Sequence, residues 1–153
     1  MSRIPGRTCP TRATIDSNTS VHTVHAIDRL PEPDADSLFS IISRRARDDL
    51  GLSLSYHRVD VRDVDHLNKV VEEIASQKGR LDGLIAAAGI QQETPALEYT
   101  AEDCNRMLNV NVTGVFMTAQ AVARQMIRLG NGGSMALIAS MSGTVANRGL
   151  ICP

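Results

Sequence analysis

From about residue 21 onward, short apolar runs alternate with longer segments whose apolar positions recur every three or four residues. The short runs have the length of strands, and the longer segments have the spacing of amphipathic helices. Glycines follow three of the helical segments, at Gly51, Gly79 and Gly130, where a left-handed residue commonly ends a helix. The strands that this pattern predicts are Val21–Ile27, Leu54–Val61, Leu84–Ala88 and Met135–Ala139.

The predicted helices lie between these strands. In the first, the apolar residues at positions 38, 41, 42, 46 and 50 share one face. Asp63 is placed to cap the second helix, and Thr100-Ala101-Glu102-Asp103 resembles a capping box that opens a long helix ending at Gly130. The strand Leu84–Ala88 is apolar throughout, which predicts cover on both faces. Alternating strands and helices predict right-handed crossovers onto a parallel sheet, and therefore a doubly wound α/β fold.

Composition narrows the class of protein. With 42% hydrophobic and 22% charged residues, a chain of 153 residues can bury one ordinary core. The net charge of −1 and the lack of a long apolar run argue against nucleic acid or a membrane as partner. Three cysteines without a C-x-x-C spacing predict reduced thiols, no metal site and a cytoplasmic location.

The first twenty residues differ from the rest. Arg3, Arg7 and Arg12 occur among serines and threonines, with no acidic residue before Asp16. This composition resembles that of an organelle transit peptide. No amphipathic period accompanies it, however, and a disordered polar tail is the favoured interpretation. The predicted organisation is therefore a tail over residues 1–20 and a folded domain over residues 21–153.

Candidate chemistry lies where the strands end, because ligands of doubly wound sheets bind beyond the carboxyl ends of the strands. The first strand closes with Asp28-Arg29. A carboxylate there accepts the ribose hydroxyls of NAD, whereas an adjacent arginine can pair with the extra phosphate of NADP. Taken singly, an acid after a strand is usually a turn former or a helix cap. The other strands close with Asp60-Val61, Ala88-Gly89 and Ser140-Met141-Ser142-Gly143.

Together these segments resemble the short-chain dehydrogenase/reductase family, from about Val21 to the end of the chain. Asp60-Val61 matches an Asp-Val pair of the family, and Leu84-Ile85-Ala86-Ala87-Ala88-Gly89-Ile90 occupies the place of its Asn-Asn-Ala-Gly signature. Asn111-Val112-Thr113-Gly114 resembles the helix with the active-site asparagine, and residues 133–143 resemble the strand that delivers the catalytic serine. The Ser-Met-Ser-Gly-Thr and Asp-Arg-Leu-Pro-Glu-Pro segments are most similar to the fungal ketose and polyol branch, of sorbose and mannitol type.

The resemblance implies an oxidoreductase that transfers hydride between NADP or NAD and a small carbonyl or alcohol, such as a ketose or polyol. It implies that Ser140 donates a hydrogen bond to the substrate carbonyl, with Ser142 as the alternative serine and a purely structural role in the loop as the alternative function. Asn111 would hold a water of the proton relay at a local break in its helix, with Asn109 as the structural asparagine. The residues implied to contact the cofactor are Asp28, Asp60, Val61, Ala86, Ala87, Ala88 and Gly89.

Residues 1–153 depart from the family pattern in three places. The G-x-x-x-G-x-G turn that binds pyrophosphate has no counterpart, since Gly6 is the only glycine before Gly51. A tyrosine followed four residues later by lysine, the family's proton donor and its partner, is also lacking. Tyr56 and Tyr99 are the only tyrosines, and both are followed at that spacing by aspartate. Alanines replace both asparagines of the signature.

The pattern therefore predicts a partial NAD(P)-binding, Rossmann-like domain over residues 21–153, truncated at both ends. Without its first strand, the order 3-2-1-4-5-6 has a vacant position at the sheet centre, which a makeshift strand at Arg12–Ile15 is poorly suited to fill. Three interpretations stay open: an inactive copy of a reductase with weak or no cofactor binding, a catalytically dead module that pairs through its long helix, and a non-functional product. Members of the family are homo-oligomers, and whether this chain is itself an enzyme is left uncertain.

Overall fold

The structure is a computed structural model that describes residues 23–31 and 33–145. The predicted tail over residues 1–20 and the Arg12–Ile15 segment lie outside these ranges. The strands are β1 (Thr23–Asp28), β2 (Ser53–Arg58), β3 (Gly83–Ala86) and β4 (Ser134–Leu137). The helices are α1 (Leu38–Leu50), α2 (Val64–Lys78), α3 (Ala101–Leu108) and α4 (Val115–Leu129), with a π-helix at Asn109–Gly114 and short 3-10 helices at Ala96–Glu98 and Met141–Gly143.

The helix ends follow local signals in the sequence. The side chains of Ser37, Asp63 and Thr100 each accept a hydrogen bond from the backbone N–H three residues further on. Each such cap satisfies an amide that the helix itself leaves without a partner, a contribution of about 1 kcal/mol. The capping signals predicted for α2 and α3 are therefore confirmed, and so are the left-handed glycines that end α1, α2 and α4, namely Gly51, Gly79 and Gly130.

The strands pair in parallel, as predicted, but they form two separate sheets. β1 pairs with β2, with Thr23 opposite Ser53. β3 pairs with β4, with Gly83 opposite Ser134. Within the part of the chain that the structure describes, no strand joins β1 to β3. Among residues 23–31 and 33–145, therefore, no strand occupies the position that was predicted to be vacant, and β1 does not pair with β3.

The core lies against one face of the strands, where α2 and α4 pack on each other. Leu67 of α2 is fully buried there, beside Val122 of α4. Ile27 of β1 and Leu84 of β3 pack against the same cluster. Two helices therefore hold the two sheets together across the vacancy. The buried residues of this cluster are Val59, Leu67, Val70, Val71, Ile74, Ala121, Val122 and Met126.

α1 lies on the opposite face. Neighbouring residues of a strand point to opposite sides of the sheet. Tyr56 of β2 makes an edge contact with Phe39 of α1, at 5.4 Å between ring centroids, whereas the charge of Glu73, on α2, acts on His57. α1 contains no buried residue, and Leu38 at its start is 72% exposed. The helix forms where the sequence predicts it, but its apolar face is only partly covered.

Two predictions about the elements need correction. β3 ends at Ala86 rather than Ala88, and its Ile85 is 74% exposed, so the expectation of cover on both faces is wrong. β2 ends at Arg58, which places Asp60 in the following loop. The long helical segment before Gly130 is interrupted by the π-helix, in agreement with the local break that the resemblance implied. None of the helices within residues 23–31 and 33–145 has the length and apolarity needed to cross a bilayer.

Candidate functional site

A groove of about 570 Å³ lies between β1 and β3, where the two sheets face each other. Its walls are formed by the carboxyl halves of these strands and by the loops that follow β1, β2 and β3. The structure brings the residues implied by the resemblance to contact a cofactor together around this one space. They are Asp28, Asp60, Val61, Ala86, Ala87, Ala88 and Gly89.

Asp28 is the last residue of β1 and is exposed at the mouth of the groove. Its Oδ1 accepts a hydrogen bond of 3.0 Å from the backbone N–H of Leu30, which holds the carboxylate in a tight turn. An ionised carboxylate has about four acceptor positions, so this turn leaves capacity for further hydroxyl groups. Asp28 is therefore both an anchored turn residue and an available acceptor, with Arg29 beside it on the groove wall.

Asp60 is held by a partner from its own loop. The Nη2 atom of Arg62 lies 2.6 Å from Oδ2, and the Nε atom lies 2.9 Å from Oδ1. These side-chain hydrogen bonds are the main reason that the pKa of Asp60 is lowered to about 2. The carboxylate is thus ionised at neutral pH and already occupied by a guanidinium. Any adenine amino group that binds Asp60 has to share it with Arg62.

Asn111 ties the helix break to the loop after β3. Its Nδ2 donates to the carbonyl oxygen of Ile90 at 2.9 Å, and its Oδ1 accepts from the Ile90 N–H at 2.8 Å. The residue lies within the π-helix Asn109–Gly114. Such π-bulges are rare and are found frequently at functional sites. The local break that the resemblance implied at Asn111 is therefore present in the structure.

Gly114 allows the loop after β2 to approach the same break. A Cβ atom at this position would lie 2.5 Å from Cγ2 of Val61, closer than real contacts permit. Sequence reasoning did not identify this contact, although a glycine inside a helical segment is a signal for close packing. Thr118, one turn later, is buried and its hydroxyl donates to the Gly114 carbonyl oxygen at 2.7 Å. Asn111 therefore holds the loop after β3 through Ile90, and Gly114 lets the loop after β2 pack closely through Val61. Both loops line the groove and meet the same helical segment.

Ser140 and Ser142 lie in the turn after β4. The Oγ of Ser140 accepts a hydrogen bond of 3.1 Å from the Ser142 N–H and so caps the short 3-10 helix. This is the structural role that was the alternative to catalysis, although a hydroxyl that accepts can also donate its proton. Neither serine belongs to the described lining of the groove. Ser140 therefore follows the carboxyl end of β4, outside the groove that the predicted cofactor residues line.

A pair of histidines, His25 and His57, lies on the face of β1 and β2 that α2 covers, and His25 also lines the groove. Nδ1 of His25 is 2.9 Å from Nε2 of His57, and the ring centroids are 5.2 Å apart. Burial is the main cause that lowers the pKa of both imidazoles. The uncharged pair is therefore the form that the fold favours. This contact could not be predicted from the sequence, because it depends on the register between β1 and β2.

The groove fits one half of a nicotinamide dinucleotide better than the other. For adenosine it offers the Asp28 carboxylate at a strand end and the exposed segment Ala87–Gly89. Pyrophosphate binds best at a helix N-terminus with uncapped amides. Among the helices of the described ranges, α1 follows strand β1 and α2 follows the loop after β2, both of which line this groove, and both helices are capped by side chains, those of Ser37 and Asp63. Within the described residues, the groove therefore offers hydrogen-bond acceptors of the kind an adenosine needs, and no helix N-terminus with uncapped amides borders it at α1 or α2.

Comparisons with known proteins identify the class of protein to which the chain belongs. The family model of the short chain dehydrogenases matches residues 34–152. A short chain dehydrogenase/reductase notP' of Aspergillus versicolor is 34% identical over 128 residues, covering 83% of this chain and 43% of that protein. This chain therefore belongs to the short-chain dehydrogenase family, a family of oxidoreductases.

Solved structures agree with this assignment. An NAD+-bound xylitol dehydrogenase matches with a TM-score of 0.70 at 27% identity, covering 84% of this chain and 47% of that one. A gluconate 5-dehydrogenase from Burkholderia cenocepacia, in complex with NADP and tartrate, matches with a TM-score of 0.66 at 29% identity, covering 82% and 47%. The predicted Rossmann-like α/β fold is confirmed, and these relatives hold NAD or NADP. The chain spans about half the length of the proteins it matches.

Proposed function

We propose that this chain forms the adenosine side of an oxidoreductase that transfers hydride between NAD or NADP and a ketose or polyol. The observation that carries the proposal is the convergence of Asp28, Asp60 and the Ala87–Gly89 segment on one groove. Two further points support the substrate class. The Ser-Met-Ser-Gly-Thr segment resembles the polyol branch, and one solved relative is a xylitol dehydrogenase.

Each residue has a role in this proposal. Asp28 accepts the ribose hydroxyls, and Asp60 accepts the adenine amino group while paired with Arg62. Asn111 keeps the loop after β3 in place through Ile90 and takes part in the proton relay. Ser140 donates its hydroxyl proton to the substrate oxygen. The nicotinamide ring, when bound, supplies or accepts the hydride.

We further propose that residues 1–153 do not catalyse the reaction by themselves. They contain no tyrosine followed by lysine at a spacing of four, and positioned general acid–base catalysis contributes about 10²–10⁴-fold. Purified chain with NADH or NADPH and a panel of ketoses is expected to show no turnover above the blank. Cofactor oxidation that scales with the amount of protein would contradict this part of the proposal.

Cofactor binding is the sharper test, because it needs no turnover. NMR titration with NAD+ and with adenosine is expected to shift the amide signals of Asp28, Asp60 and Gly89. Both ligands should bind with similar, millimolar affinity, about 4 kcal/mol, since the phosphates add nothing. Asp28→Asn should reduce these shifts, whereas Asp82→Asn, an exposed aspartate just before β3, serves as the matched control. Micromolar binding of NAD+ would show that a phosphate site exists after all.

A second candidate function is a dimerisation module that uses the long helical segment. Leu108, Val112 and Phe116 recur at a spacing of four, and each is more than 40% exposed. A contiguous apolar stripe of this kind favours a protein interface. Sedimentation at rising protein concentration would test this function, with Phe116→Lys expected to abolish the dimer. A chain that stays monomeric over the whole range removes this candidate.

A further inference from the structure

We propose that Asn131, in the loop between α4 and β4, is a site of spontaneous deamidation, and that this modification removes a hydrogen bond between that loop and the loop before β3. Asn131 is the only asparagine of the sequence that is followed by a glycine. The reaction needs only the backbone of the chain and water. It is therefore independent of the oxidoreductase proposal, which concerns the carboxyl ends of the strands.

The backbone nitrogen of Gly132 is accessible for this reaction. Asn131 and Gly132 are both exposed. Deamidation of an asparagine requires the next backbone nitrogen to reach the side-chain carbon Cγ, and a side chain on the next residue crowds this approach. Gly132 has none, and a Cβ atom built there would meet no atom within 4 Å. Among the described residues, the Gly132 N–H donates to no backbone carbonyl, so it is free to react.

The side chain of Asn131 is folded towards the residue that would attack it. Its Nδ2 atom donates a hydrogen bond of 3.0 Å to the carbonyl oxygen of Gly132 and one of 3.1 Å to the carbonyl oxygen of Leu81. The first of these holds the amide group beside Gly132 instead of in open solvent. Reactive groups that are kept close together in one chain react much faster than separate molecules do. The fold therefore favours ring closure at this position.

The reaction consists of a ring closure and a hydrolysis. The Gly132 nitrogen gives up its proton and attacks Cγ of Asn131, which closes a five-membered succinimide ring. The bond between Cγ and Nδ2 breaks, and this nitrogen takes up a proton and leaves as ammonia. Water then adds to one of the two ring carbonyls, and the ring opens to aspartate or to isoaspartate. One water is consumed, one ammonia is released, and no electrons are transferred.

Asp82 provides a comparison within the same chain, because it is the only aspartate that is followed by a glycine. A succinimide could form there as well, by loss of water. The Asp82 carboxylate, however, accepts hydrogen bonds from Arg80 at 2.7 and 3.0 Å, and its backbone carbonyl accepts one of 3.0 Å from the N–H of Ser134. A carboxylate has to leave its partner and take up a proton before it can react in this way. Asp82 is therefore expected to stay intact while Asn131 is modified.

The modification changes how the two loops are held together. The nitrogen that leaves is the donor to Leu81, and an ionised carboxylate has no proton to donate in its place. The new negative charge would also face the Leu81 carbonyl oxygen. These loops lie at the amino ends of β3 and β4, whereas the candidate cofactor groove lies at the carboxyl ends. We therefore expect lower stability and an unchanged groove.

Peptide mapping of the whole chain tests the modification itself. The purified chain is incubated at neutral and at mildly alkaline pH and digested with trypsin, and the peptide of residues 129–148 is analysed by tandem mass spectrometry. Isoaspartate and aspartate are expected to accumulate at position 131, faster at the higher pH because the attacking nitrogen has to lose its proton. The rate should exceed that at Asn105, which lies in α3, at least tenfold. In the matched control Asn131→Gln, which keeps the amide but would need a six-membered ring, position 131 should stay unmodified.

Equal modification of Asn131 and Asn105 would overturn the proposal. Aspartate without isoaspartate, or a rate that does not depend on pH, would do so as well, because either result excludes a succinimide. The structural consequence has its own measurement. Asn131→Asp is expected to lower the melting temperature by about 2–4 °C, since one hydrogen bond is lost. Asn105→Asp, which adds the same charge at an exposed position, should lower it less. Equal melting temperatures of these two variants would contradict the role of the hydrogen bond to Leu81.

Discussion

Helices of similar design lie on the two faces of the strands, yet only the helix on one face is buried. α1 and α2 both begin at a side-chain cap, both end at a left-handed glycine, and both carry an apolar stripe. α2 buries five residues against α4 and the strands, whereas α1 buries none. The difference lies in what each helix can pack against. An amphipathic stripe determines which side of a helix turns inward, but the surface available opposite it determines how much is buried.

The open face lies next to the position beside β1 that no described strand occupies. α2 packs on α4, and their cluster bridges both sheets through Ile27 and Leu84. α1 contacts β2 at the far side of one two-stranded sheet, and no helix beside it appears among the described elements. Leu38 and Leu50, at its two ends, are therefore largely exposed. We call the α2 and α4 side the covered face and the α1 side the open face.

The largest expected effect is a difference in unfolding free energy between substitutions on the covered face and on the open face. Leu67→Ala on the covered face removes a side chain with no exposed area, and we expect a loss of about 2–5 kcal/mol of unfolding free energy. Leu38→Ala on the open face is expected to cost less than about 0.5 kcal/mol. Urea midpoints of the two variants measure the difference. Equal costs would mean that the open face is covered in solution.

The next largest effect concerns the close contact between Gly114 and Val61, beside the groove. Gly114→Ala forces a methyl group against Val61, and we expect a cost of about 1–3 kcal/mol. Gly143→Ala is the matched control, because its added Cβ meets no atom within 4 Å. Val61→Ala in the Gly114→Ala background should recover part of the loss. Thermal unfolding of the three variants measures these differences in stability. A Gly114→Ala variant as stable as the control would contradict the packing argument.

The local features of the helices on both faces could be predicted from the sequence. Asp63 and Thr100 cap their helices because a cap depends only on residues within one turn. The helix break at Asn111 was implied by a resemblance of motif and spacing. The exposure of Ile85 could not be predicted, because an apolar run specifies a strand but not the neighbours that cover it.

The contacts that the side chains of the candidate site make in the fold could not be predicted from the sequence. Arg62 was not among the predicted site residues, although its guanidinium occupies the Asp60 carboxylate. The pairing of His25 with His57 depends on strand register, which no short motif specifies. Ser140 is placed after its strand as predicted, but its distance from the groove follows from how β3 and β4 are arranged. Long-range geometry accounts for the histidine pair and for the position of Ser140, whereas Asp60 and Arg62 are two residues apart in one loop.

A smaller effect tests the electrostatics of the covered face. The pKa values of His25 and His57 are lowered mainly by burial, so the unfolded chain binds more protons as the solution is acidified. The stability due to the neutral pair is complete above pH 6.5 and is lost as the pH falls through the lowered values. Melting temperature is expected to fall below pH 6.5 in the wild type and to fall less in His25→Gln. His66→Gln, at an exposed histidine of α2, should retain the wild-type slope.

The smallest expected effect comes from the exposed pair at the groove. The pKa of Asp60 is lowered to about 2 by Arg62, so its contribution is complete above about pH 4 and is lost as the pH falls through 2. Because Arg62 is largely in solvent, we expect Asp60→Asn to cost no more than about 1 kcal/mol at neutral pH. Asp82→Asn, which breaks a more exposed pair with Arg80, should cost less. Urea midpoints at several pH values would contradict this account if the Asp60 variant kept the acid dependence of the wild type.

Native-state hydrogen exchange tests the central claim most directly, namely that the strand position which no described residue occupies leaves one face and the facing edges of β1 and β3 open. Amides of α2 and α4 are expected to exchange only through global unfolding, because they form the buried core. Amides of α1, and those of β1 and β3 that point into the groove, are expected to exchange much faster through local opening. Uniform protection of α1 and α2, together with slow exchange along both groove edges in the isolated chain, would contradict the account.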